Sequence, residues 1–196
     1  MTLNPDQMLV PTAFVTAHVM FRRQQLEDNE GDYDAVMDSR HDLRVWSDSP
    51  WPEDGFTREE NAADLSMHMG EHDRDEGYGF SIFRTDNRQF LGSLYFHPVA
   101  PFRDHYAPSP HADARLRPLD VRVEYWLRRG TDAALHQDVL QGVQTWLKRD
   151  WWFQGVTFGS RRNMHEQRRR YEAAGLTELT QLVARDGERR FHFHVS

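Results

Sequence analysis

A chain of 196 residues with 38% hydrophobic and 12% aromatic content carries enough core-forming material for one folded domain and too much for a disordered segment. Its 24 Lys and Arg against 31 Asp and Glu leave a net charge of −7, which repels phosphate backbones and removes the usual drive for non-specific nucleic-acid binding. The absence of cysteine excludes disulfides, thiolate metal sites and a cysteine nucleophile.

Residues 14–23 read as a strand from their β-branched and aromatic content, and residues 26–43 as a helix beginning after Asp28-Asn29. Residues 46–56, rich in Ser, Asp, Pro and Gly, predict a loop. Thr57, with Glu60 three positions on, is a capping box that opens a helix to about Glu71. Residues 78–84 and 90–97 predict a hairpin turned at Thr85-Asp86-Asn87. Residues 98–119 hold five of the nine prolines and predict a long loop or insertion inside a single domain of residues 1–196. Val121, Val123, Tyr125 and Leu127 alternate with Arg122, Glu124 and Trp126 in a strand with one apolar and one mixed face. Thr131 or Asp132 then caps a helix whose Leu135, Val139, Val143, Trp146 and Leu147 form one stripe. A strand at 155–160, a helix at 163–174 stopped by Gly175, and strands at 178–184 and 189–195 complete the chain.

Lys148 is the sole lysine, so Schiff-base or phosphate-loop lysine chemistry would rest on one residue in a helix tail. Residues 1–10 lack the basic and apolar regions of a leader peptide. No window approaches the roughly 20 apolar residues of a membrane span, so a cytoplasmic protein without membrane contact is expected.

The element order, with Val121-Arg122-Val123-Glu124-Tyr125-Trp126-Leu127 followed by Arg169-Arg170-Tyr171-Glu172-Ala173-Ala174-Gly175-Leu176, resembles the GNAT N-acyltransferases, in particular the ribosomal-protein and small-amine acetyltransferases. The resemblance implies an α+β (α/β) fold, a central mixed, mostly antiparallel sheet flanked by helices. It implies transfer of an acetyl group from acetyl-coenzyme A (acetyl-CoA) to a small or peptidic primary amine, with no metal, no nucleic acid and no membrane, and it leaves a homodimer open. By position it assigns the coenzyme to Trp126, Leu127, Arg128, Arg129, Gly130, Thr131, Ala133 and Asn163. The loop 128–135 departs from the family's glycine-rich form: it has one glycine, is about two residues short, and sets the Asp132 carboxylate where phosphates should lie. Arg128 and Arg129 can offset that charge.

Acyl transfer to an amine requires a neutral amine, donors for the oxyanion and a proton for the departing thiolate. Tyr171 falls on the position whose phenol serves as general acid in many relatives, or else packs in the core. Glu124 can accept the amine proton, or else pairs with Arg122. Trp46, Trp51 and Trp126, with Glu53 and Asp54, can draw a cationic acceptor, or else anchor core and loop. The alternative to an enzyme is a GNAT-fold module that binds a ligand or partner without turnover. A metal hydrolase built on His68, Glu71 and His72 is a third reading, lacking a ligand set by spacing. His192 and His194 are expected on the exposed face of the last strand.

Overall fold

The computed structural model describes residues 2–106, 108–184, 187 and 189–196. Residues 14–23 form two strands rather than one, β1 (Ala13–Val15) and β2 (Val19–Arg23). Between them Thr16 donates its amide to the Val19 carbonyl at 2.8 Å, and its hydroxyl accepts the Val19 amide at 3.0 Å, so Ala17 and His18 are the tip of a turn. The helix expected over 26–43 is divided into a short 3-10 turn (Leu26–Asp28), α1 (Asn29–Asp38) and α2 (Arg40–Ser47). It breaks at Ser39, whose hydroxyl accepts the Arg129 amide at 2.9 Å, a competing local partner of the kind serine offers inside helices.

The capping box is present: Thr57 accepts the Glu60 amide at 3.2 Å, Glu60 accepts the Thr57 amide at 2.8 Å, and α3 (Arg58–Asp73) follows. The hairpin pairs β3 (Tyr78–Arg84) with β4 (Phe90–Pro98) as expected. The proline-rich stretch is not a loop, since it contains α4 (Val99–Tyr106) and α5 (Pro110–Leu116). Pro101 and Pro110 occupy first turns, where no amide is needed for the helical ladder, and so they do not break the helices as their density in the sequence implied. Then come β5 (Val121–Leu127), α6 (Ala133–Asp150), β6 (Val156–Arg161), α7 (His165–Ala173), β7 (Thr177–Val183) and β8 (Arg190–Val195). Gly175, at φ +84°, supplies the left-handed residue that ends α7.

The strands form one sheet in the order β1-β2-β3-β4-β5-β6-β8-β7. One face carries Phe21, Phe80, Leu94, Phe96 and Val123 against the stripe of α6, with Trp146 fully buried at the centre. The other face carries Tyr95 and Trp126 under α1 and α2, and Phe191 and Phe193 under α4 and α5.

Among the described residues β5 and β6 are the one parallel pair, and they are joined only over Val121, Arg122 and Val123 against Val156, Thr157 and Phe158. Beyond that point each strand continues, β5 to Leu127 and β6 to Arg161, without pairing the other. The wedge between the two strand ends exposes backbone groups that elsewhere in the sheet are satisfied by a neighbour.

Candidate active site

At the wedge lies a cleft of about 490 Å³ walled by Tyr125, Trp126 and Leu127 of β5, the loop Arg128 to Thr131, Asn163 ahead of α7, and Gln167 and Arg170 on α7. Seven of the eight residues expected around a coenzyme therefore share one cavity. The eighth, Ala133, opens α6 outside the lining. The Tyr125 hydroxyl and the Gln167 side-chain amide lie beside each other in the wall, both buried and neither in an aligned hydrogen bond. Unspent buried donors at a cleft suit a ligand carrying amide and thioester carbonyls, as the pantetheine arm of coenzyme A does.

The loop spends much of its own polarity. Arg128 is bound to Asp38 through Nε at 2.8 Å, Thr131 donates its hydroxyl to the Arg128 carbonyl at 2.7 Å, and the Arg129 amide is taken by Ser39. Asp132 caps α6, accepting the Leu135 amide at 2.8 Å. The amides of Gly130, Ala133 and Ala134 remain without a partner among the described residues, at the positive end of an 18-residue helix, with exposed Arg129 beside them. These groups fit a pyrophosphate, with the Asp132 carboxylate opposing it.

At the apex of the wedge stands Gly159. The Tyr171 hydroxyl donates to its carbonyl at 3.1 Å, and a Cβ placed on it would lie 3.1 Å from Glu124 Cγ. Tyr171 is fully buried among Phe158, Tyr125 and His194, and burial pushes its phenol well above its usual value, so the proton stays on. Glu124 faces Arg122 across 3.0 Å, and Arg122 lies 3.9 Å from the Phe102 ring centre. Of the two roles open to Glu124, the geometry supplies the arginine pair. The pair lies in a buried contact.

A second cavity, about 300 Å³, adjoins the first, and Trp46 and Trp126 line both. Trp51, Tyr95, Asp32, Asp64, His68 and His97 complete its functional lining. Trp46 and Trp51, both expected at an acceptor site, share this cavity. Glu53 borders a neighbouring cavity of about 470 Å³ that shares Trp51 and Asp64 with this one, and Asp54 is held by Arg44 at 2.7 Å. The acids of the pocket are two that sequence reasoning missed. Asp32 accepts from Asn61 at 2.8 Å, and burial raises its pKa to about 6. Asp64 accepts from the Trp51 indole at 3.1 Å and is also raised by burial. A usable signal was the one-turn spacing of Asp32 from Val36, which puts a carboxylate on the inward stripe of α1.

The His68-Glu71-His72 grouping does not form. His72 points into the core, edge-on to Tyr78 and Phe80 at 4.9 and 5.6 Å, and burial lowers its pKa to about 4. His97 of β4 comes to Glu71 instead: His68 Nδ1 is 3.0 Å and His97 Nε2 3.7 Å from Glu71 Oε2, and one ligand atom from each of the three lies within 4.8 Å of the others. A one-dimensional spacing motif could not show this partner, because it arrives from another element. His194 is likewise not exposed: it is fully buried against Tyr171, while His192 bonds Glu178 at 3.0 Å.

No family model matches the sequence, and no curated protein matches it. Solved structures do. The ribosomal-protein-S5-alanine acetyltransferase from Vibrio fischeri superposes with a TM-score of 0.67 at 14% identity, covering 94% of this chain and 95% of that one. The microcin C7 self-immunity acetyltransferase MccE, in complex with acetyl-CoA and AMP, gives 0.68 at 11% identity over 95% and 96% of the two chains. The ribosomal L7/L12 α-N-protein acetyltransferase RimL, in complex with coenzyme A, gives 0.67 at 13% identity over 92% and 94%. The chain has the GNAT acyltransferase fold, a mixed and mostly antiparallel eight-stranded sheet flanked by helices. Among the described residues no helix is long and apolar enough to cross a membrane.

Proposed function

We propose that this chain is a cytoplasmic N-acetyltransferase that moves an acetyl group from acetyl-CoA to a primary amine. The observation that carries the proposal is the junction of two cavities at Trp46 and Trp126. One cavity, in the strand wedge, has unspent donors and a helix N-terminus for a phosphate-bearing donor. The other is aromatic and acidic, suited to an ammonium group. Tyr171 is the proposed proton donor to the departing thiolate: burial holds its phenol protonated, and its hydroxyl donates to the Gly159 carbonyl at the wedge apex. The known fold of acetyltransferases such as MccE supports the reading without fixing the acceptor.

Incubation with isotopically labelled acetyl-CoA and a mixture of amines, including an alanine-terminated peptide and a polyamine, tests it. Mass spectrometry should find labelled amide on at least one amine and none on matched alcohols. A second reading, a binding module without turnover, is favoured by one observation: Asp132, Arg128 and the Arg129 amide are all engaged inside the protein. Acetyl-CoA that binds but is never consumed would support that alternative.

A further inference from the structure

The proposed reaction leaves a proton without a destination. A primary amine at neutral pH is mostly an ammonium ion and cannot attack until it loses a proton. Glu124, the carboxylate nearest the wedge, faces Arg122 at 3.0 Å. The acceptor pocket has another candidate on its wall.

His68 stands on α3, with its ring 4.8 Å from that of Tyr95, and Tyr95 is the register partner of Glu124. The imidazole is therefore one strand away from the point where β5 leaves β6. Its Nδ1 faces Glu71 Oε2 at 3.0 Å, so a carboxylate receives the Nδ1 proton and Nε2 carries the lone pair. His97 Nε2 lies on the other side of the same carboxylate oxygen at 3.7 Å. Both imidazoles line the pocket, whereas Glu71 lies behind them. The charged and titratable groups facing His68 are Glu71 and Asp64 on α3, Asp32 on α1, and His97 and Tyr95 on β4.

We infer that His68 is the general base that takes the proton from the acceptor ammonium, with Glu71 and His97 as positioning residues that fix its ring and stabilise its charge. The inference rests on the acyltransferase reading and names a residue for its missing step. One ammonium N–H bond breaks, with its proton going to His68 Nε2 and on to solvent. The freed nitrogen lone pair forms the C–N bond at the thioester carbonyl, and the C–S bond breaks. The thiolate takes a proton from Tyr171, which the second N–H of the attacking nitrogen replaces. Amine, thioester and protons balance to an amide, a thiol and one released proton.

The test combines three readouts on the wild type, His68→Gln, Glu71→Gln and His97→Gln. Calorimetry with acetyl-CoA should give the same Kd for all four. Long-range ¹H–¹⁵N spectra of labelled imidazoles should show His68 protonated on Nδ1 and bare on Nε2 in the wild type, and a mixture of tautomers in Glu71→Gln. Thiol release with spermidine and an alanine-terminated peptide should fall by about 10²-fold or more in kcat for His68→Gln, with loss of the acid limb of the pH profile. Added imidazole should partly restore His68→Ala. The inference is overturned by the opposite tautomer, by a metal ion copurifying at one per chain on these three groups, or by an unchanged pH profile in His68→Gln. Absence of acetyl-CoA binding by the wild type removes the acyltransferase reading as well, whereas binding and turnover with an indifferent His68 remove the base alone.

Discussion

The Tyr171 hydroxyl donates to the Gly159 carbonyl at 3.1 Å, at the residue where β6 has just parted from β5. The proposed acid is therefore tethered, in the ligand-free state, to the backbone of the wedge it would serve. Tyr171→Phe should lower kcat by about 10²-fold with the Kd for acetyl-CoA unchanged. Because the bond is buried, the variant should also lose about 1 kcal/mol of stability. Stopped-flow thiol release and urea denaturation check the two parts, and an unchanged kcat would return Tyr171 to the core.

Gly159 itself is constrained by space. A Cβ there would approach the Phe191 ring to 2.4 Å and Glu124 Cγ to 3.1 Å. Gly159→Ala should destabilise the protein by about 1–3 kcal/mol, as overpacked cores do, and displace Glu124 from Arg122. Thermal unfolding measures the first consequence.

Asp132 caps α6, and its carboxylate would oppose the pyrophosphate of a coenzyme at the proposed site. Asp132→Asn keeps the cap on the Leu135 amide and removes the negative charge, so acetyl-CoA should bind several-fold more tightly with little change in stability. Asp132→Ala also removes the charge, but it should cost about 1 kcal/mol of stability. Calorimetry on both variants separates the two roles.

Asp32 and His72 give opposite pH dependences. Burial raises Asp32 from 3.8 to about 6, so its contribution favours folding below pH 3.8 and is lost as pH rises through 6. Asp32→Asn should stabilise the protein at neutral pH by about 2–3 kcal/mol while raising KM for the amine.

Burial lowers His72 from 6.5 to about 4, so the unfolded chain binds the extra proton first and stability falls as pH drops from 6.5 towards 4. His72→Phe should flatten that acid slope by one proton without affecting KM. Denaturation across this pH range measures it.

Much of the fold was legible because the signals were local. The Thr57 and Glu60 box, the alternation of residues 121–127 and Gly175 each acted through neighbours in the chain. The helices at Val99–Tyr106 and Pro110–Leu116 were not, because a proline in a first turn and a proline in a loop look alike until the amide it lacks is placed. The cleft at the strand wedge was legible as a strand end and its loop. The aromatic and acidic pocket was only half legible: its tryptophans could be named, but Asp32, Asp64 and His97 come together from α1, α3 and β4, and nothing along the sequence orders such long-range contacts.

The central claim, a donor held in the wedge between β5 and β6, is tested most directly by calorimetric titration of the chain with acetyl-CoA at low salt. The account predicts one site per chain, weakened by added salt as its arginine and helix-terminus contacts are screened, and tightened in Asp132→Asn. No heat and no thermal stabilisation at millimolar acetyl-CoA would contradict it.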